Sequence, residues 1–564
     1  MAFETRLTPA MIAKYTQAGF WSQDTIFKAI ERTAQAHPER EAIYDRTHRI
    51  TYAQLVAKVN RVAATLAAQG IGAGDVVTIQ IPNWIEYACV FFALERLGAV
   101  ANPVSVDFRS RELEYILRFS ESRGFISCDR FKNFDHSAMI AQLRTQLPDL
   151  KLVGVVRCAA KPGVLSLDET IHGDGPVPDY TPYALEANEV TRMAFTSGTT
   201  GNPKGVIHSQ NTTLSACIIQ NRDMGHSQQD TFLVYLPVGL NWGFLALAQA
   251  LILGARTVLL DQFSAKAALE LIDGEHVTFI PTAPASIVAM LNEPGLDGYD
   301  LSTLRMVMSG GASCPLEIIR EFQKRMKGHF IELYGMLETG YHTYTRMGDD
   351  PAEVSGSVGR VATAMGVRVI DDTGKDVAKG GIGEIAADGP SLHLGYHKNP
   401  QANAELFLPD GWFRTGDLGR FDERGNLYIE GRLKEIINRG GKKFFPREIE
   451  EILYTHPKVL HAAIIGVPDP RLGERNCLCV IPRAGQQVTL EEMVAFLKDE
   501  VATYKLPEQI EIVSELPFTP TGKLQRHVLA KQVLERRAAQ ASRSAQTAFT
   551  AASSSAAGTA RCTS

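Results

Sequence analysis

Thr196-Ser197-Gly198-Thr199-Thr200-Gly201-Asn202-Pro203-Lys204-Gly205 is the stretch that organises this chain. Three threonines, a serine, three glycines and a lysine stand within it. Glycine lets backbone N–H groups approach an anion closely, hydroxyls donate to phosphate oxygens, and lysine adds a point charge. This is the composition of a polyphosphate cradle. It is not a Walker A loop, which needs glycine directly before the lysine, where Pro203 stands. A plain polar turn has no need of so many donors beside a lysine.

Upstream of the loop, strand-like and helical runs alternate. Residues 41–45 and 49–52 read as a short hairpin, 76–81, 99–104 and 124–128 as strands, and 53–69, 86–97 and 110–121 as amphipathic helices. Downstream, 231–236, 256–260, 278–281 and 306–309 are strand-like, with helices between. Such alternation predicts βαβ units on a parallel sheet. From 355 the pattern shifts to short strands at 367–371, 383–387, 412–415 and 426–429. Residues 447–455, 490–503 and 525–536 are then helical, and 460–467 and 476–482 are strands. The fold class is therefore α/β. A large N-terminal domain of βαβ layers with a β-rich subdomain covers 1–433, and a small α+β domain covers 434–537. The tail 538–564 is mostly Ala, Ser and Thr, and reads as disordered.

Bulk properties narrow the function. Of 564 residues, 45% are hydrophobic and 21% charged, as in ordinary globular proteins. The net charge is −5 without a basic stripe, which argues against nucleic acid as a partner. Of eight cysteines only Cys477 and Cys479 are close, at a spacing wrong for zinc or a redox pair. A reduced, cytoplasmic setting fits. The first residues lack an apolar signal region, and no apolar run reaches the ~20 residues of a membrane span, so stable membrane insertion is not expected.

Four further stretches carry chemistry. They are Ser309-Gly310-Gly311-Ala312 with Glu332-Leu333-Tyr334-Gly335-Met336-Leu337-Glu338-Thr339, then Arg414-Thr415-Gly416-Asp417, then Gly431-Arg432-Leu433-Lys434 with Gly440-Gly441-Lys442-Lys443, and last Pro517-Phe518-Thr519-Pro520-Thr521-Gly522-Lys523-Leu524. With 196–205 they resemble, in order, the signatures of the adenylate-forming (AMP-binding) superfamily. Its members include acyl- and aryl-CoA synthetases, peptide-synthetase adenylation domains and beetle luciferase.

The resemblance implies residue roles. Thr196, Ser197, Gly198, Thr199, Thr200, Gly201 and Lys204 cradle ATP phosphates. Gly310, Gly311 and Ala312 contact adenine and border the acid pocket. Tyr334 packs on the base, with Glu332 and Gly335 beside the nucleotide, and Glu338 holds Mg²⁺. Leu337 departs from the pattern: threonine is usual there, and leucine cannot bond a phosphate. Asp417 takes both ribose hydroxyls, a match because a carboxylate accepts two hydrogen bonds at once. Arg432 reaches the ribose or phosphate. Lys434 is the hinge of a mobile C-terminal domain, and Gly440, Gly441 and Lys442 line the CoA tunnel. Lys523 bridges the acid's carboxylate and the α-phosphate.

The acid is read from Pro237-Val238-Gly239-Leu240-Asn241-Trp242-Gly243. Amino-acid-activating relatives carry an aspartate near Asn241. An amide cannot neutralise a buried ammonium, so α-amino acids are disfavoured. Gly239, Leu240, Asn241, Trp242 and Met336 describe a mostly apolar pocket. It suits a medium-chain, alicyclic (cyclohexanecarboxylate-like) or simple aromatic acid, uncharged beyond its carboxylate. The expected activity is an ATP-dependent acid–CoA ligase, with Lys523, Glu338 and Lys204 catalytic and with Mg²⁺, ATP and CoA as cofactor and substrates. Two alternatives stay open: a stand-alone adenylating enzyme that loads a carrier protein, and a non-catalytic nucleotide-binding homologue. A homodimer also stays open.

Overall fold

Strand and helix alternate through the first part of the chain, and the strands sort into two large sheets. The computed structural model describes residues 3–158, 161–196, 203–518 and 524–538. Ser197, Gly198, Thr199, Thr200, Gly201 and Lys523 lie outside them, as does the tail beyond 538. The helix 526–538 runs one residue into the segment read as tail.

The first sheet has seven strands, in the order Gly205–Ser209, Val190–Phe195, Val100–Pro103, Val76–Gln80, Gly124–Cys128, Leu152–Val156 and Leu165–Ser166. Its pairings are parallel except the edge hairpin 190–209. The second has nine strands, parallel through the middle and antiparallel at both ends. The early hairpin, Glu41–Tyr44 with Arg49–Thr51, does not join the sheet of its sequence neighbours. Ile43 and Tyr44 pair with Thr257 and Val258 of the second sheet. A pairing across that separation leaves no local trace in the sequence.

Local chemistry explains the helices between the sheets. Tyr52–Ala68 opens on Thr51, whose hydroxyl accepts from the Gln54 N–H while the Gln54 side chain returns to Thr51. Ile85–Arg96 is buried on every side and mostly apolar, as a helix enclosed by core must be. It lies in the largest core, which also takes Val77 and Ile79 from the first sheet and Phe232, Met308 and Ile331 from the second. Gly366–Ile370, Gly383–Asp388, Phe413–Phe421 and Leu427–Arg432 form a four-stranded sheet. The strand at 413 continues through the T-G-D stretch, where a turn would be the ordinary reading. Gly416, at φ +75°, supplies a backbone state that L side chains rarely adopt.

Two compact units emerge. Among the described residues, one takes those up to Thr415 and Gly419–Ile429; the other takes Gly416–Leu418, 430–518 and 524–538. In the second, Val459–Asp469 and Gly473–Pro482 form a long antiparallel pair. Alternation sends Ala462, Ile464, Leu478 and Val480 into one core and Ala463, Ile465, Cys477 and Cys479 into another. The cysteine spacing is thus one face of a strand. Among the described residues no helix is long and apolar enough to cross a membrane.

The buried helix Ile85–Arg96 carries two glutamates with opposite fates. Burial opposes the charge of Glu86, but His172 at 3.0 Å and Arg157 at 2.8 Å outweigh it and bring its pKa down to about 2. Glu95 accepts from the Phe27 N–H at 3.0 Å, and no ion pair offsets its burial, which drives its pKa from 4.5 up to about 7. Between these values the native state keeps a proton that the unfolded chain sheds. Stability therefore falls as pH rises through that window, by on the order of 3 kcal/mol, and levels off above it. Glu95→Gln stays neutral throughout. Its melting temperature relative to wild type should improve between about pH 5 and about pH 8. A difference that does not change with pH would show that Glu95 is already ionised in the fold.

Candidate active site

The stretch expected to hold phosphate is flanked by the two strands of the edge hairpin. Strands Val190–Phe195 and Gly205–Ser209 pair antiparallel, and two hydrogen bonds close the neck. The Thr196 N–H donates to the Lys204 carbonyl at 3.1 Å, and the Lys204 N–H donates to Thr196 Oγ1 at 3.3 Å. Tyr115 ties in Pro203 by donating to its carbonyl at 3.2 Å. Between those anchors, residues 197–202 lie outside the described residues.

Lys204 and Glu338 meet across one aromatic ring. The Lys204 ammonium stands 4.8 Å from the centre of the Tyr396 ring, and the Tyr396 hydroxyl donates to Glu338 Oε1 at 3.0 Å. Burial first, and the Glu338 charge second, hold the Tyr396 phenol above its ordinary range, so it stays a donor. Glu338 is itself buried. No motif pointed to Tyr396, which lies 58 residues from Glu338. Leu337 packs against a cluster containing Val206, Tyr396 and Phe413, and its carbonyl accepts from His208 Nε2 at 2.8 Å. Leucine at this position thus serves packing.

Gly310 ends a parallel strand, and Gly311 has φ +83°. Glu332 acts locally: its carboxylate accepts from the Cys314 N–H at 2.9 Å and pins the loop that contains Ala312. Tyr334 meets His342 edge to face at 4.8 Å. Burial lowers the His342 pKa to about 3, so the ring is neutral. At Gly335 a Cβ would come within 2.3 Å of the Gly340 carbonyl, so close strand packing accounts for that glycine.

On the acid side, Leu240 precedes the helix Asn241–Leu253, and Asn241 and Trp242 open it. A Cβ at Gly239 would lie 2.1 Å from the Val104 carbonyl. Its bareness is therefore a packing need, independent of any acid. Met336 packs with Leu337 on the Val206 cluster. Asn241 has a partner that the sequence reading missed: Arg192 Nη1 donates to Asn241 Oδ1 at 2.8 Å. Arg192 is 2% exposed. One signal was available, a lone cation in the middle of an otherwise buried strand.

In the second unit Asp417 is 3.2 Å from Arg432 Nε. Lys434 sits in the 3₁₀ turn Leu433–Glu435, whose Glu435 pairs with Arg526 at 3.0 Å. Gly440 and Gly441 form a two-residue hairpin turn between Arg439 and Lys442, with φ +59° and +83°. Both values lie in the left-handed region, the signature of a turn that favours glycine at both positions. The Lys442 ammonium lies 5.0 Å from the centre of the Tyr504 ring.

A donor-rich loop at a sheet-edge hairpin, with a buried carboxylate and a lysine on one tyrosine beside it, defines a nucleotide-handling α/β enzyme. Residues 30–397 match the AMP-binding enzyme family and 448–523 match the AMP-binding enzyme C-terminal domain. The chain is 34% identical to the medium-chain fatty-acid–CoA ligase of Escherichia coli K12, over 93% of each chain. It is 32% identical to the 2-hydroxy-7-methoxy-5-methyl-1-naphthoate–CoA ligase of Streptomyces carzinostaticus, over 92% of this chain and 94% of that one. The fold also matches an anthranilate CoA ligase, AuaEII, solved with anthranoyl-AMP, at TM-score 0.84 and 25% identity over 92% and 99% of the two chains. The chain belongs to the AMP-binding enzyme family and is an AMP-forming acid–thiol ligase of the acyl-CoA synthetase type.

Asp417 offers the ribose a test separable from the acid. Asp417→Ala should weaken ATP binding by about 10- to 100-fold, the loss of charge-assisted hydrogen bonds, and leave acid binding nearly unchanged. Calorimetric titration with each ligand reads this directly. Unaltered ATP affinity would remove Asp417 from the nucleotide site.

Proposed function

We propose that this enzyme joins a medium-chain, alicyclic or simple aromatic acid to CoA in two half-reactions. The carboxylate attacks the α-phosphorus of ATP and releases pyrophosphate, giving acyl-AMP. The CoA thiol then attacks the acyl carbon and releases AMP. The observation that carries this reading is the pairing of Lys204 and buried Glu338 on Tyr396, beside the closed neck of the phosphate hairpin. Likeness to medium-chain and aryl-acid CoA ligases supports the acid class.

The acid is its own nucleophile, so the protein positions groups and stabilises charge. Lys204 and the loop donors take the β- and γ-phosphates. Glu338, a buried hard oxygen donor, fits Mg²⁺, and the Tyr396 donor fixes its orientation. When bound, the ion would neutralise phosphate charge. Tyr334, with Gly310, Gly311 and Ala312, takes the adenine, and Asp417 with Arg432 takes the ribose. Lys523 stabilises charge on the α-phosphate during adenylation. The C-terminal unit then turns about Lys434 and exchanges Lys523 for the Gly440-Gly441-Lys442 hairpin, which receives pantetheine. A carrier protein would present the same thiol; the CoA ligases among the relatives favour free CoA. The described cysteines are all free thiols, which fits cytoplasmic residence.

Lys523→Ala should lower the adenylation rate by about 100- to 1,000-fold, the effect of losing one transition-state donor. ATP–pyrophosphate exchange measures that step. Thioester formation from supplied acyl-AMP should survive much better, because Lys523 has left by then. Equal loss in both half-reactions would sink the exchange of units.

A further inference from the structure

The acid pocket as read from sequence is uncharged beyond the reacting carboxylate. The structure sets a cation behind its wall. Along the strand Val190–Phe195, Met193 and Phe195 enter one core, whereas Arg192 turns the other way and lies 4.7 Å from the centre of the Phe244 ring. Its Nη1 is committed to Asn241. Its Nε is buried and has no hydrogen-bond partner among the described residues. No carboxylate pairs with it there either; the titratable groups that raise its basicity are Tyr87 and Cys217, both neutral. Burial brings its pKa down only to about 10, so it remains a cation at neutral pH.

That cation fixes the wall's polarity. Arginine has only donors, so Asn241 must turn Oδ1 toward it and its NH₂ away. Two further polar atoms, one on the helix Ile85–Arg96 and one on Asn241–Leu253, lack partners among the described residues. One is Tyr87 Oη, joined to Phe244 through Phe91 by ring contacts of 5.9 and 4.5 Å. The other is Trp242 Nε1, next to Asn241 in sequence. A buried guanidinium without a counter-ion is costly, because its lost hydration is not repaid. An apolar side chain would pack here without that penalty. What relieves it is an anion that arrives with the substrate, and a carboxylate matches the guanidinium fork.

We propose that Arg192, with Asn241, recognises the far end of the acid, and that the preferred substrate is a medium-sized dicarboxylic acid activated at one end. This rests on the ligase reading above and on Asn241 lining the acid pocket. It keeps the exclusion of α-amino acids, since a cation repels ammonium, and replaces the expectation of an uncharged tail.

The test uses the full chain and matched pairs: octanoate with octanedioate, cyclohexanecarboxylate with 1,4-cyclohexanedicarboxylate, and benzoate with terephthalate. CoA-dependent AMP release gives kcat/KM for each. In at least one pair the diacid should exceed the monoacid by about 100-fold, the size expected from a buried charge pair. Arg192→Met should invert that pair by losing the diacid and keeping the monoacid. A residue that merely props Asn241 would lower both acids together, which overturns the proposal. So would wild type that prefers the monoacid in every pair. Should Arg192→Met fail to fold, the wild-type ratios decide alone, backed by the rise in melting temperature with each acid. AMP release from monoacids with no diacid preference strikes only the Arg192 assignment. No release from any acid, mono- or dicarboxylic, strikes the ligase reading beneath it.

Discussion

The neck of the hairpin 190–209 sets the geometry of the catalytic half of the first unit. Two hydrogen bonds between Thr196 and Lys204 bring the ends of a glycine-rich loop together at the edge of a parallel sheet. Sheet pairing on both sides defines where the loop starts and ends. The same hairpin presents Lys204 to Tyr396, and through it to Glu338, so the cation and the carboxylate are registered to one ring. Arg192 belongs to the first strand of this hairpin. The lysine proposed for phosphate and the arginine proposed for the acid therefore belong to one short antiparallel hairpin.

Much of this arrangement was legible in the sequence because it is local. Alternating periodicities gave the βαβ units, a shift to short strands gave the four-stranded sheet, and period-two alternation accounts for the second unit's double-sided sheet. Five motifs in order pointed to adenylate chemistry. What was not legible depends on long-range pairing. Nothing in residues 41–51 announces that they will lie beside 256–259. Tyr396 and Glu338 are 58 residues apart, and Arg192 and Asn241 are 49 apart. Glycines are ambiguous for a different reason. Gly239 and Gly335 sit in functional stretches, yet close backbone contacts alone explain why neither carries a side chain.

Burial of ionisable groups recurs in the first unit. Glu86 is buried and paired; Glu95 is buried and answers by holding its proton. Arg192 is buried, has no carboxylate among the described residues, and keeps its charge because guanidinium does not release a proton near neutral pH. One physical problem thus has three outcomes, set by what each side chain can do. A carboxyl can neutralise itself; an arginine can only wait for a counter-ion.

The thiols have a practical consequence. The seven described cysteines are buried thiols, five in the first unit (Cys89, Cys128, Cys158, Cys217 and Cys314) and two on one strand face of the second (Cys477 and Cys479). An alkylating reagent in solution reaches such sulfurs only when the surrounding structure opens. Cys477 and Cys479 share a single core, so their labelling reports the opening of the C-terminal unit, while the other five report the larger one. The protein therefore carries two built-in clocks, readable by mass spectrometry without any added probe, for how often each half of the machine comes apart.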